Sequence, residues 1–261
     1  MIDAIWMSDL HYVAEGDVLG HDPRARLASA IEHINSHITA CELCIISGDI
    51  VNRGSVEDYA AVSKMLGQLN MPFFPMVGNH DNRELFMQAF TLPGNCMPSF
   101  VQYSISTSEG EMICLDTLKV GSDEGEMCKQ RLDWLSERLE ALGETPAYVF
   151  MHHPPMKLGL PMQDTENLVK SDALLDLLAM HVNVKHLFIG HVHRPIAGTI
   201  RGIPFATMRS VLYQAPAPLP AWNWQSFKPG EEAPAIGALT IDQSDVTLQY
   251  VQFCQYEDGL V

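Results

Sequence analysis

The chain has 261 residues, 47% of them apolar, enough for one large domain whose core needs neither disulfides nor a structural metal. Its formal charge of -16, from 32 acidic against 16 basic residues, argues against a nucleic-acid polymer or an anionic membrane as partner, since both attract basic surfaces. Six scattered cysteines suggest a reduced compartment, and "MIDAIWMSDL" has neither a basic leader nor an apolar run of membrane-spanning length, so a cytoplasmic protein is expected.

The first apolar run, "AIWMSD" from Ala4, reads as a buried strand that stops at Asp9 and His11 in "SDLH". His21 follows, bordering the pocket or merely approaching the next helix. Asp22 and Pro23 then mark an N-cap and first helical position for "PRARLASAIEHINSHI". His33 and His37 fall one turn apart there, but no Glu completes an "HExxH", so they read as an exposed face. Cys41 and Cys44 in "CELC" read as structural, leading into the strand "LCIISGD" that ends at Asp49. The helix "SVEDYAAVSKMLGQL" follows, then the strand "FFPMVGN", ending at Asn79 and His80. Asp81 next to them either orients a site residue or serves a turn.

Further along, the strand "MICLDT" and the helix "EMCKQRLDWLSERLEAL" precede "AYVFMHH", which ends at His152. If that strand persists, His153 points to the opposite face and is structural or supporting. Met156 and Met162 in "PPMKLGLPMQD" line a substrate wall or pack a loop. The helix "TENLVKSDALLDLLAM" and the strand "HLFIGH" lead to His191 and His193. From Ile196 the pattern changes to strands "AGTIRGIPFATM", "IGALTID" and "VTLQYVQF", interrupted by "APAPLPAWNWQSFKPGEEAP". About 200–261 is therefore a C-terminal region of strands with a small cap or loop, inside a single domain spanning 1–261. Trp222 and Trp224 read as cap packing or a subunit contact, leaving a homo-oligomer open, in preference to base stacking.

Strands alternating with helices argue an α/β fold with a largely parallel or mixed sheet, and ligands of such sheets bind beyond the carboxyl ends of the strands. Asp9, His11, Asp49, Asn79, His152, His191 and His193 fall at such ends, with His80 beside them. Two carboxylates, one amide oxygen and four imidazoles, with no thiolate, suit Fe, Mn, Zn or Co. Seven donors exceed one tetrahedral shell, so two ions sharing a carboxylate fit the number. Such ions, roughly 3.5 to 4 Å apart, clamp both oxygens of a phosphoryl displacement, which points to phosphoester hydrolysis. Two divalent ions against Asp9 and Asp49 leave a locally positive site in an acidic protein. No Walker-type loop is present, and the glycines of "SGDI", "VGNH" and "IGHVH" read as scaffolding for tight turns.

The ordered elements "DLH", "GDIVNRG", "GNHD", "HH" and "GHVH" resemble those of the calcineurin-like metallophosphoesterase superfamily over residues 3–195. "FMHHPP" with "GNHD" looks most like the branch of class III cyclic-nucleotide phosphodiesterases and bacterial glycerophosphodiesterases. The resemblance implies a four-layer α-β-β-α sandwich with mixed sheets and two divalent or mixed-valence metal ions. It implies that Asp9, His11, Asp49 and His193 hold one ion, that Asp49, Asn79, His152 and His191 hold the other, and that Asp49 bridges. It further implies that His80 meets the phosphate or leaving oxygen, and that a metal-bound hydroxide attacks a small phosphodiester, either a 3',5'-cyclic nucleotide or a glycerophosphodiester. The alternative it leaves is a phosphomonoesterase or phosphoprotein phosphatase. Asn52 stands where the phosphoprotein phosphatases carry an acid, "GNHD" replaces their "GNHE", and the retained Arg53 reads as a surface residue before a substrate contact. A non-catalytic scaffold is disfavoured because all seven donors are present. On this division "GHVH" gives one imidazole to each ion, with Val192 as the turn between them.

Overall fold

Strands β1 (Ile2–Met7) and β2 (Leu43–Ile46) are runs of branched and aromatic residues buried almost throughout, the pattern of parallel strands covered on both faces. With β3 (Phe73–Pro75) they form the parallel half of one sheet, which β12 (Ala235–Asp242) and β13 (Asp245–Gln252) extend antiparallel, in the order β13-β12-β1-β2-β3. This computed structural model describes residues 1–254; residues 255–261 of the expected C-terminal region lie outside it.

A second sheet has the order β10-β11-β9-β7-β5-β4. Its inner strands β5 (Gly110–Cys114), β7 (Ala147–Met151), β9 (Val184–Ile189) and β11 (Ile203–Thr207) are parallel. Antiparallel β4 (Tyr103–Thr107) and β10 (Ala197–Ile200) close its edges. β6 (Gly125–Glu126) and β8 (Leu168–Val169) make a small parallel pair beside it.

Alternation along β7 shows how the layers stack. Tyr148 and Phe150 face the large core shared with the first sheet, whereas Ala147, Val149 and Met151 face a second core. Between the sheets Trp6 meets Phe150 and Phe188 edge-on at 6.1 and 5.2 Å, and the two phenylalanines stack at 4.4 Å. The helices α1 (Pro23–His37) and α2 (Val56–Leu66) bury Leu27, Ile31, Ile34, Tyr59, Val62 and Leu66 on the first sheet's outer face. α4 (Lys129–Leu142) and α5 (Asp172–Met180) bury Leu135, Leu139, Leu174 and Leu178 on the second's. The result is the expected four-layer sandwich of helices, two mixed sheets and helices. Asp22 caps α1 as expected, its Oδ1 accepting from Arg24 N at 2.9 Å ahead of Pro23.

Two readings of the sequence change. The helix expected from Thr165 starts only at Asp172, because Leu168 and Val169 pair with Gly125 and Glu126 as strand β8 and Leu168 N donates to the Pro154 carbonyl. Gln163–Thr165 is a single 3-10 turn. Short α3 (Arg83–Ala89), capped by Asn82 Oδ1 on Leu85 N, has too few turns to show a period, with only Phe86 buried. Among the described residues no helix is long and apolar enough to cross a membrane, and no disulfide joins the cysteines.

Candidate metal centre

The parallel strands β1, β2, β3, β7 and β9 all run toward one edge, where their following loops interlock. Asp9 N donates to the Gly48 carbonyl, Met76 N to Ile46, and Gly190 N to Met151. The chain turns sharply at this edge: Asp9, His11, Asp49, His191 and His193 all have positive φ, between 42° and 70°. For residues other than glycine this left-handed backbone costs on the order of 1 kcal/mol or more each, and it persists only where surrounding bonds enforce it. The turn of "GHVH" therefore lies on the two histidines themselves, with Val192 N donating back to the Gly190 carbonyl at 2.8 Å, and not on Val192 as the sequence suggested.

Each imidazole is held from behind. His152 Nδ1 donates to the Ser47 carbonyl at 2.8 Å, His193 Nδ1 to the Tyr213 carbonyl at 2.9 Å, and His11 Nδ1 to Asn52 Oδ1 at 3.2 Å. With those protons placed, the Nε2 atoms of all three rings face the centre. Asp9 is tethered by a chain of hydroxyls: Trp6 Nε1 donates to Ser47 Oγ at 2.8 Å, Ser47 Oγ to Ser8 Oγ at 2.9 Å, and Ser8 Oγ to Asp9 Oδ2. Asp49 Oδ1 accepts from His80 N at 2.9 Å, which leaves Oδ2 turned inward.

The inward atoms form two groups that share Asp49 Oδ2. In one, His11 Nε2 and His193 Nε2 stand 3.0 Å apart, His193 Nε2 is 3.2 Å from Asp9 Oδ1, and His11 Nε2 is 3.6 Å from Asp49 Oδ2. In the other, His152 Nε2 lies 3.4 Å from Asp49 Oδ2 and 3.2 Å from Asn79 Oδ1, with His191 Nδ1 3.1 Å from that same amide oxygen. Donors bound about 2.0–2.2 Å from one ion stand about 3.0–3.5 Å from one another, so both groups have the edge lengths of a metal shell. Asp9 Oδ1 is buried without a donor, and lone pairs facing one another across 3.0 Å repel unless a cation lies between. The donor set and its spacing fit divalent ions.

Charge reinforces this. Burial would raise Asp9, but His193 and His152 draw it down to about 2; Asp49, likewise opposed by burial, is held well below the carboxylate range by His152 and His80. Burial pushes His11 and His191 down to about 3, so their rings are neutral. His152 is the exception: against its burial, Asp49 and Asp9 lift it to about 9.

Other residues fall differently. His80 lines the same cavity, its Nδ1 donating to the Asn52 carbonyl at 3.0 Å, which leaves Nε2 for the cavity. Asp81 is buried and does not hold the His80 ring; it accepts from Ile50 N, Val51 N, Gly78 N and Tyr59 Oη, clamping the "GDIV" and "GNHD" loops together. β7 ends at Met151, so strand alternation no longer governs His153, and it lies with His152 and His191 rather than on the opposite face. Its Nδ1 is 2.7 Å from Thr117 Oγ1. Arg53 is exposed and borders a different hollow, and Met156 packs on the second core. His33 and His37 stack on α1 at 4.7 Å, and His21 stacks on Tyr213 at 6.5 Å, all outside the cavity.

Glycine is required at two approaches. A Cβ on Gly78 would stand 2.2 Å from Asp49 Oδ1, and one on Gly48, at φ +102°, would stand 2.4 Å from His152 Nδ1. Tyr213, Asp123, Gln163, Glu166, Trp224 and Phe227 complete the cavity wall. None but Trp224 drew notice in the sequence, since they come from irregular loops without period or motif.

Residues 4–195 match the family model described as calcineurin-like phosphoesterase. The chain is 33% identical over 252 residues to a probable cyclic nucleotide phosphodiesterase of Rhodopseudomonas palustris, covering 95% of this chain and 91% of that one. It is 28% identical to a glycerophosphodiester phosphodiesterase of Enterobacter lignolyticus, covering 80% and 77%. In fold it resembles the crystal structure of a dimetal phosphatase from Danio rerio, with a TM-score of 0.69 at 15% identity and 97% of each chain covered.

Proposed function

We propose that this chain, which belongs to the calcineurin-like phosphoesterase family, hydrolyses small phosphodiesters with a divalent metal pair. Asp9, His11, Asp49 and His193 would hold one ion, and Asn79, His152 and His191 would hold the other together with a bridging Asp49. The observation that carries this reading is the pair of inward-facing donor groups meeting at Asp49 Oδ2. On this division His191 and His193 serve different ions. His193 Nε2 sits against Asp9 and His11, and His191 presents Nδ1 to Asn79.

When bound, such a pair supplies Lewis acidity and a water acidic enough to act near neutral pH. The chain's own residues position and protonate. The positive-φ turns fix the donors before substrate arrives. His80, braced by Asn52 and lining the cavity, would hold a proton near the leaving oxygen. The diester preference is supported by the two curated relatives, named for cyclic nucleotides and glycerophosphodiesters.

Purified protein loaded with Mn, Zn, Co or Fe should bind about two ions per chain and cleave bis(p-nitrophenyl) phosphate efficiently. Strong monoester turnover with negligible diester turnover would assign a phosphomonoesterase instead. Fewer than about one ion per chain after loading would contradict the metal pair.

A further inference from the structure

Three of the four imidazole donors are held from behind by hydrogen bonds, and His191 is not. It turns Nδ1 inward to Asn79 Oδ1, its Nε2 is buried without a partner, and its backbone N donates to Asp9 Oδ2 at 3.2 Å. The backbone is therefore fixed, while the tilt of the ring is left to what packs against it. Two rings do so: His152, edge-on at 5.2 Å, and His153, tilted at 4.9 Å.

His153 is fully buried, and its own setting is rigid. Thr117 Oγ1 stands 2.7 Å from its Nδ1 and accepts from its backbone N at 3.3 Å. Thr117 cannot easily shift, because Arg83 grips both carboxylate oxygens of the preceding Asp116 at 2.6 and 2.8 Å and Arg131 Nη1 donates to the Asp116 carbonyl at 2.8 Å. The Thr117 carbonyl accepts from Glu126 N at 2.9 Å, which brings Gly125 under the ring. A Cβ on Gly125 would stand 2.5 Å from His153 Cγ, so the ring lies flush on the β6 backbone.

We propose that His153 is a positioning residue that sets the tilt of His191, and with it the direction of Nδ1, for the ion shared with Asn79 and His152. This rests on the metal-pair reading and adds the brace that His191 otherwise lacks. The brace acts through the shape and anchorage of the ring, with Thr117 as its fixed point.

The test follows graded removal of Mn from the loaded enzyme by a chelator, with thermal unfolding alongside. Thr117→Val keeps the shape of the residue and removes its hydroxyl. It should weaken one of the two ions about tenfold or more and leave the other within about twofold, while Thr117→Ser should behave as wild type. Asn79→Ala should weaken the same ion, and adding Thr117→Val to it should leave the other ion's affinity unchanged. In Thr117→Val/His153→Phe an apolar ring rests on an apolar neighbour, so the weakened ion should recover most of its affinity; a ring that served as a ligand could not be replaced in this way. A wild type that holds two ions while Thr117→Val weakens neither, or weakens both alike with a lowered unfolding temperature, would reject the brace alone, as would no recovery in the double variant. A wild type that holds fewer than two ions would reject the metal pair and the brace with it.

Discussion

At the floor of the cavity the rings of His11, His152 and His193 are pinned from behind by Asn52, Ser47 and Tyr213, and five donor residues sit in a backbone conformation that only dense bonding sustains. On the far wall Gln163 Oε1 has no partner and Trp224 is 45% exposed, and behind it Trp222 Nε1 has no partner either. The floor is thus set before any ligand arrives, while the wall can adjust around one. If reaction chemistry belongs to the first and choice of substrate to the second, substitutions in the two should differ in kind as well as in size.

The largest effect belongs to the atom both donor groups share. Asp49→Asn should lower kcat/KM for bis(p-nitrophenyl) phosphate on the order of a thousandfold, with loss of bound metal read by elemental analysis. His80→Ala should cost less and keep the metal, and equal losses would break the division between holding ions and moving protons. Gly78→Ala drives a methyl toward Asp49 and should lower kcat roughly a hundredfold, since displacements near 1 Å already cost that much. A near-normal rate in this variant would mean that the floor can yield as the wall does. Asn52→Ala releases His11 and removes nothing from the centre, so metal affinity measured by competition with a chelator should fall about tenfold or more. Smallest of all, Trp224→Ala should change KM for a natural diester a few-fold, leave kcat nearly alone and shift stability by no more than about 0.5 kcal/mol. A large fall in kcat would transfer Trp224 from the wall to the floor.

The same contrast explains what could be read in advance. Donors at strand ends are visible because a carboxylate or imidazole after an apolar run is a chemical signal, and five such ends in order identify an edge. The braces are not visible, because two are backbone carbonyls, at Ser47 and Tyr213, which any residue type supplies. The face of His153 differs from the expected one because the strand, whose persistence that expectation required, stops at Met151. Asp81 could be read either way, and only the fold brings Ile50, Gly78 and Tyr59 around it. The wall, gathered from the segments around Asp123, Gln163 and Trp224, carries no pattern a linear reading could join.

The hydroxyl chain behind Asp9 has a polarity. An indole N–H can only donate, so Ser47 Oγ accepts from Trp6 and turns its single proton to Ser8 at 2.9 Å or to the Met7 carbonyl at 3.4 Å, while Ser8 gives its own to Asp9 Oδ2. A proton arriving on that oxygen would displace the Ser8 donor and turn Ser47 from Ser8 to the more distant Met7 carbonyl. An aromatic side chain in the seam between the sheets thereby biases a row of hydroxyls toward a carboxylate three residues away, favouring its role as an acceptor.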